Sequence, residues 1–202
     1  MAVQSDYRYS LTVNGSSQFE VVRFVLKEHL STLFRLELDL ASFGAEPNFH
    51  SLIDQPATLT FWQGDEAVRS VNGIVTALNQ GETGFTRTRY HMVIEPSLCR
   101  AGLQTDLRIF QQQDSQKIIE TLLSKNQVSQ SQFHLQTPYW TREYCVQYRE
   151  TDLNFIQRLA AEEGSYYYFE HTNNSHILHF SNSTTLSEKK GNLVYNAMPA
   201  GQ

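Results

Sequence analysis

Residues 34–40 read Phe-Arg-Leu-Glu-Leu-Asp-Leu, so every second side chain is large and apolar and every residue between them is charged. This period of two specifies a half-buried β-strand and excludes a helix, in which residues two apart diverge onto different faces. Tyr7, Tyr9, Leu11 and Val13 alternate in the same way with Arg8, Ser10 and Thr12. Ala57, Leu59 and Phe61 share one face, as do Tyr90, Met92 and Ile94. Further strands are expected over 19–27, apolar on both faces around 21–25, and over 68–80, where Gly73 suits a bulge or bend. Asn14-Gly15 is a strong hairpin-turn signal, residues 81–84 turn the chain again, and 48–54 can form one helical turn before Pro56. Six short-spaced strands within residues 6–96 predict a small antiparallel barrel or sandwich. A barrel is favoured because closure removes the edges of strands this apolar.

The pattern changes after Pro96. Asp114 can cap a helix running to about Lys125 that buries Ile118, Ile119, Leu122 and Leu123. Residues 126–132 are a polar connection and 143–148 read as a short strand. A second helix is expected from about Thr151 to Glu163, with Leu153, Ile156, Leu159 and Ala160 on one stripe and Gly164 at its C′ position. Residues 166–170 and 176–180 then form a hairpin around Thr172-Asn173-Asn174-Ser175. The fold class is therefore mainly β with α+β, a small antiparallel β-barrel followed by an α+β unit with two helices. The expected division is a barrel over 1–98, an α+β unit over 99–190, and a disordered or truncated end over 191–202.

Charge and composition narrow the function. The 202 residues carry a formal net charge of −5, which argues against a dedicated nucleic-acid binder. The start lacks the basic region and apolar run of a secretory signal, and no apolar stretch is long enough to span a bilayer, so stable membrane insertion is not expected. Cys99 and Cys145, the only cysteines, make no disulfide framework and read as reduced, partly buried thiols.

Catalytic signatures are missing: the chain has no G-x-S-x-G, H-E-x-x-H, P-loop or G-x-G-x-x-G. His171, His176 and His179 are the one metal-like cluster, but on a strand His176 and His179 point to opposite faces, so they read as ordinary hairpin histidines. Glu162 and Glu163 are adjacent carboxylates that diverge by about 100° on a helix and cannot flank one glycosidic bond. They read as a solvated helix face. Tyr166-Tyr167-Tyr168-Phe169 could stack on sugars or bases, and reads better as a strand buried on both sides. Arg87 and Arg89 fall on the solvent face of a strand. No catalytic residue, metal ligand or cofactor is expected.

The stretch from Arg142 to Glu170, R-E-Y-C-V-Q-Y-R-E-T-D-L-N-F-I-Q-R-L-A-A-E-E-G-S-Y-Y-Y-F-E, closely resembles a recurrent segment of the VgrG spike proteins of type VI secretion. Tyr144, Gln147, Tyr148, Glu150, Asp152, Phe155, Arg158, Leu159, Glu162, Glu163, Gly164, Tyr166 and Phe169 carry the match as structural motif positions. Phe34-Arg35-Leu36-Glu37-Leu38 and the strand containing Gly73-Ile74-Val75 also look like that family's first barrel. Ala161 and Ser165 depart from the pattern, where the family often has Glu and Ile.

The resemblance implies a non-enzymatic structural hub at the base of a trimeric puncturing spike that caps the Hcp tube hexamer. The implied partners are the chain itself as a homotrimer when full length, the Hcp tube, and downstream needle and effector modules. Such a chain is expected to be cytoplasmic and exported through the type VI machine without a signal peptide. One barrel per chain cannot supply the six of a trimeric ring, so an N-terminal fragment is expected. The alternatives are a hub of a contractile phage-like tail or, from another class, a cell-wall glycan hydrolase using Glu162 or the histidines, or a glycan-binding module using Tyr166–Tyr168.

Overall fold

The computed structural model describes residues 7–43, 48–136 and 138–183. The expected end over 191–202, and the last residues of the expected α+β unit, lie outside the described residues. Strands β1 (Tyr7–Val13), β2 (Glu20–Lys27), β3 (Arg35–Ser42), β4 (Pro56–Gln63), β5 (Glu66–Thr83) and β6 (Thr88–Glu95) form one antiparallel sheet in the order β1-β4-β5-β6-β3-β2. The alternation read from the sequence sets the register. Leu11 faces Leu59, which faces Val71, and Leu38 lies between Phe24 and Met92. These side chains fill the concave side of a strongly curled sheet.

The curl brings the edge strands β1 and β2 together through rings rather than backbone. Tyr9 lies 5.0 Å from Phe24 between centroids, and both pack edge-on to Phe61. The hairpin expectation at Asn14-Gly15 is corrected here. The turn forms, with φ of 48° and 75° and paired 2.9 Å bonds between Val13 and Ser16, but it spans the seam. Beyond it β1 pairs with β4 and β2 with β3. The expectation for 19–27 is also corrected: as an edge strand, β2 leaves Val22 56% exposed. The 3₁₀ turn Phe49–Ser51, capped by Asn48, falls where one helical turn is expected.

The second half builds β7 (Thr105–Gln113), α1 (Ser115–Lys125), β8 (Ser131–His134), β9 (Arg142–Thr151), α2 (Asp152–Glu162), β10 (Tyr166–His171) and β11 (His176–Ser181). Asp114 accepts from the Lys117 amide at 2.8 Å and Thr151 from the Asn154 amide at 3.1 Å, so both helices carry side-chain N-caps. Gly164 ends α2 at φ 66°, a left-handed conformation that costs glycine nothing. The expected hairpin is β10–β11, and β8, in the stretch expected to be a polar connection, adds to it in parallel. The strand expected over 143–148 is longer and pairs with β7, for which no strand is predicted. Both helices pack their apolar stripes against Phe110, Cys145, Tyr167, Leu178 and Phe180.

The two cores meet at Phe34 and Phe169, whose rings lie 5.3 Å apart, and Phe169 packs against both. Polar contacts reinforce this junction. Asn72, 3% exposed, donates its side-chain amide to the carbonyls of Thr172 and Ser175, and its backbone N–H to His171 Nδ1. The Ser97 amide donates to His176 Nε2, and the Ser31 amide to the Tyr167 carbonyl.

Candidate functional site

The segment singled out by its motif runs through β9, α2 and β10, and most of its polar residues bond to one another. Gln147 is fully buried on the inner face of β9, where it donates to Asp152 Oδ1 at 2.8 Å and to the Glu150 carbonyl at 3.1 Å. Asp152 opens α2 and also receives Asn126 Nδ2 at 2.8 Å and Lys125 Nζ at 2.9 Å from the end of α1. Burial opposes its charge, but these three donors outweigh burial and hold its carboxyl below the ordinary value. The first turn of a helix is also where the backbone dipole favours an anion. One carboxylate thus joins the start of α2, the end of α1 and the centre of β9.

A second cluster fastens the other side of α2. Arg158 bonds Glu150 at 2.6 Å, Glu162 at 2.9 Å and the Val146 carbonyl at 3.1 Å, and lies over the Phe155 ring. Arg142 spans Glu162 and Glu163, each at 2.7 Å, and Glu163 also accepts from Ser115 Oγ at 2.6 Å. The hydrogen bond to Glu150 is the main cause that raises the Arg158 pKa. Burial opposes the charge on Glu162, but the two guanidiniums hold its carboxyl below the ordinary value, the opposite of what a general acid needs.

Phe155 and Leu159 are fully buried in the core. The strand expected to be buried on both sides is fully buried only at Tyr167; Phe169 is partly buried against both cores, and Tyr166 and Tyr168 are half-buried along a groove of about 1150 Å³. Each ring already has a stacking partner: Tyr166 stacks on Tyr168, and Tyr168 on His179 at 5.0 Å. The histidines divide as the strand parity predicts. His176 packs with Phe34 and His171, whereas His179 meets His134 at 2.8 Å and Glu170 at 2.9 Å on the other face. Among the described residues no group of three or more His, Cys, Asp or Glu side chains could hold a metal ion.

Two motif residues take no part in this packing. Tyr144 and Tyr148 project from the outer face of β9, 61% and 64% exposed. Sequence reasoning missed their neighbours on β7, Leu107 and Ile109. The signal was a short apolar alternation there, which reads as noise when its partner strand is unknown.

Known proteins share this architecture. Residues 27–202 match the family model described as phage tail baseplate hub (GPD). The chain is 38% identical over 201 residues to the type VI secretion system spike protein VgrG2a of Pseudomonas aeruginosa, covering 98% of this chain and 24% of that protein. It is 40% identical over 170 residues to VgrG3 of Vibrio cholerae, covering 84% of this chain and 17% of that one. The chain therefore spans a quarter or less of the length of these relatives. The structure of the E. coli c3393 protein, described as a component of the type VI secretion system similar to the T4 tail proteins gp27 and gp5, superposes with a TM-score of 0.81 at 25% identity. That match covers 89% of this chain and 50% of the other. By the extent of the family match, which takes in strands β3–β6 of the curled sheet and the helical unit, this chain belongs to the phage tail baseplate hub family.

Proposed function

We propose that the chain is a structural hub segment of a type VI secretion spike, with no enzymatic role. The carrying observation is the 38–40% identity to VgrG spike proteins across both the barrel and the α+β unit. The motif geometry supports the same reading, because Arg142, Gln147, Glu150, Asp152, Arg158, Glu162 and Glu163 bond to one another and to backbone. In this role β9–α2–β10 is a brace that fixes the α+β unit, and residues 1–98 and 99–190 act as barrel and buttress. The proposed partners are two further copies of the full-length spike, the Hcp tube beneath, and needle or effector modules beyond.

The test is a chimera in which this chain replaces the matching 201-residue stretch of VgrG2a. The purified chimera is expected to be trimeric and to cap Hcp tubes in electron micrographs. A folded chimera that never sits on a tube end would overturn the hub reading. Turnover of peptidoglycan that falls in Glu162→Gln or His176→Ala would instead restore the hydrolase, and glycan binding lost in Tyr168→Ala the binding module.

A further inference from the structure

Two imidazoles and a carboxylate form a row across the β8–β11–β10 sheet, one from each strand. His134 of β8 meets His179 of β11, with Nε2 2.8 Å from Nδ1. The rings are 16° from parallel with centroids 5.0 Å apart, so the contact runs edge to edge, in the direction a ring N–H points. On its other side His179 Nε2 lies 2.9 Å from Glu170 Oε2 of β10. The carboxylate calls for a proton on Nε2, which leaves Nδ1 as the acceptor and makes His134 Nε2 the donor. His179 is 4% exposed and Tyr168 stacks on its ring, so water has little access to replace either partner. Strand β8 depends on such a tie. It is four residues long, lies at the edge of its sheet, and is otherwise held by its parallel ladder to β11, the stack of Phe133 on Phe180, and a bond from the Gln136 amide to Asn182.

Proton counting gives this pair two regimes. With one extra proton, His179 is an imidazolium that donates from both nitrogens, and His134 accepts once its own proton moves to Nδ1. With two extra protons, N–H faces N–H and two cations sit in contact, so the bond is lost. We propose that the His134–His179 pair is an acid-released latch, which holds β8 on the hairpin until it takes up a second extra proton. The surrounding charges set when this happens. Glu170 is the charge in contact with the pair and favours proton uptake. Across the groove, Glu28 and Arg69 of the barrel pair with each other at 2.6 Å, and His171 lies 3.6 Å from Glu28. Gln132 of β8 is neutral, and Tyr166 and Tyr168 of β10 contribute phenols. Burial holds the His179 imidazole below its ordinary 6.5; Glu170 opposes this and His134 adds to it. The latch is therefore whole at neutral pH and fails as the pH falls. It does not depend on the hub reading, which concerns the tube and the spike.

The test is amide hydrogen exchange, read by NMR on the full 202-residue chain as the pH falls from neutral to well below 6.5. After correction for the intrinsic pH dependence, the protected amides of β8 should lose at least tenfold more protection than those of β3 and α2, which report the global loss of stability. His134→Gln keeps a donor where Nε2 stood but takes no proton, so its β8 should stay as protected as β3 and α2 throughout. Glu170→Gln, at a side chain 61% exposed, should move the release to lower pH. Imidazole nitrogen shifts should show the pair taking up its two protons in separate steps. Loss of β8 protection only in step with β3 and α2 overturns the proposal, as does a loss as steep in His134→Gln as in the native chain. A release unmoved by Glu170→Gln, or two histidines that titrate independently, would overturn it as well.

Discussion

At Gly73 a single missing methyl group sets how closely two strands approach. A Cβ built there would lie 2.5 Å from the Glu95 carbonyl oxygen and 2.6 Å from Ile94 Cγ2, so strand β6 would have to move. Gly73→Ala is expected to cost roughly 1–3 kcal/mol, the range for overpacking a dense interior, read as a lower denaturant midpoint with unchanged slope. His176 carries the other residue-level prediction. Burial pushes its imidazole down to about 4, and its Nε2 accepts from the Ser97 amide, so the folded protein holds it neutral. The unfolded chain then binds the extra proton below its ordinary value of 6.5, and stability falls as pH drops from there to about 4. The loss expected across that window is on the order of 2–3 kcal/mol, and His176→Gln should flatten it. The lowered carboxyl of Asp152 acts in a lower window. Its contribution is present above the ordinary carboxylate value and lost as pH falls through its folded value.

At the scale of elements, two N-caps and one arginine hold the helices in place. Asp114→Ala and Thr151→Ala should each cost about 1 kcal/mol. Arg158→Ala removes the link from α2 to both Glu150 and the β9 backbone, and should cost about 1–3 kcal/mol by chemical denaturation. Elements whose local pattern agrees with their burial were legible from sequence: β3, both helices with the Asp114 cap and the Gly164 terminus, and the β10–β11 hairpin. Strand β7 was not, because its alternating apolar residues Leu107 and Ile109 face outward while Phe110 alone turns into the core. Strand β8 is four residues long and pairs in parallel with a strand more than forty residues away, which leaves no local signature. Asn14-Gly15 identified a turn but not the strands it joins, since pairing is decided by the curl of the whole sheet. At the motif, the structural role was an implication of the family resemblance. The residue types alone put Glu162 and Glu163 on a solvated helix face, whereas both are ion-paired and Glu163 is largely buried. That Arg142 and Arg158 share Glu162, and that Gln147 reaches Asp152, are facts of tertiary contact.

For the whole molecule, the junction between the two cores matters most. Phe34 is 2% exposed and packs edge-on to Phe169, His171 and His176, so one barrel side chain anchors the hairpin of the other half. Phe34→Ala should cost about 3–5 kcal/mol and loosen both halves together. Hydrogen exchange should then accelerate in β10 and β11 as well as in β3. Acceleration confined to β3 would mean that the halves are only loosely coupled. Under the proposed hub role, a barrel pushed outward by a tube would transmit load only through a junction that does not yield. The most direct measurement of that role is secretion of Hcp into the medium by Pseudomonas aeruginosa lacking its own VgrG spikes and supplied with the VgrG2a chimera described above. Restored Hcp export, reduced by Phe34→Ala, is the predicted result. A folded, stably expressed chimera that leaves Hcp inside the cells would contradict the hub assignment.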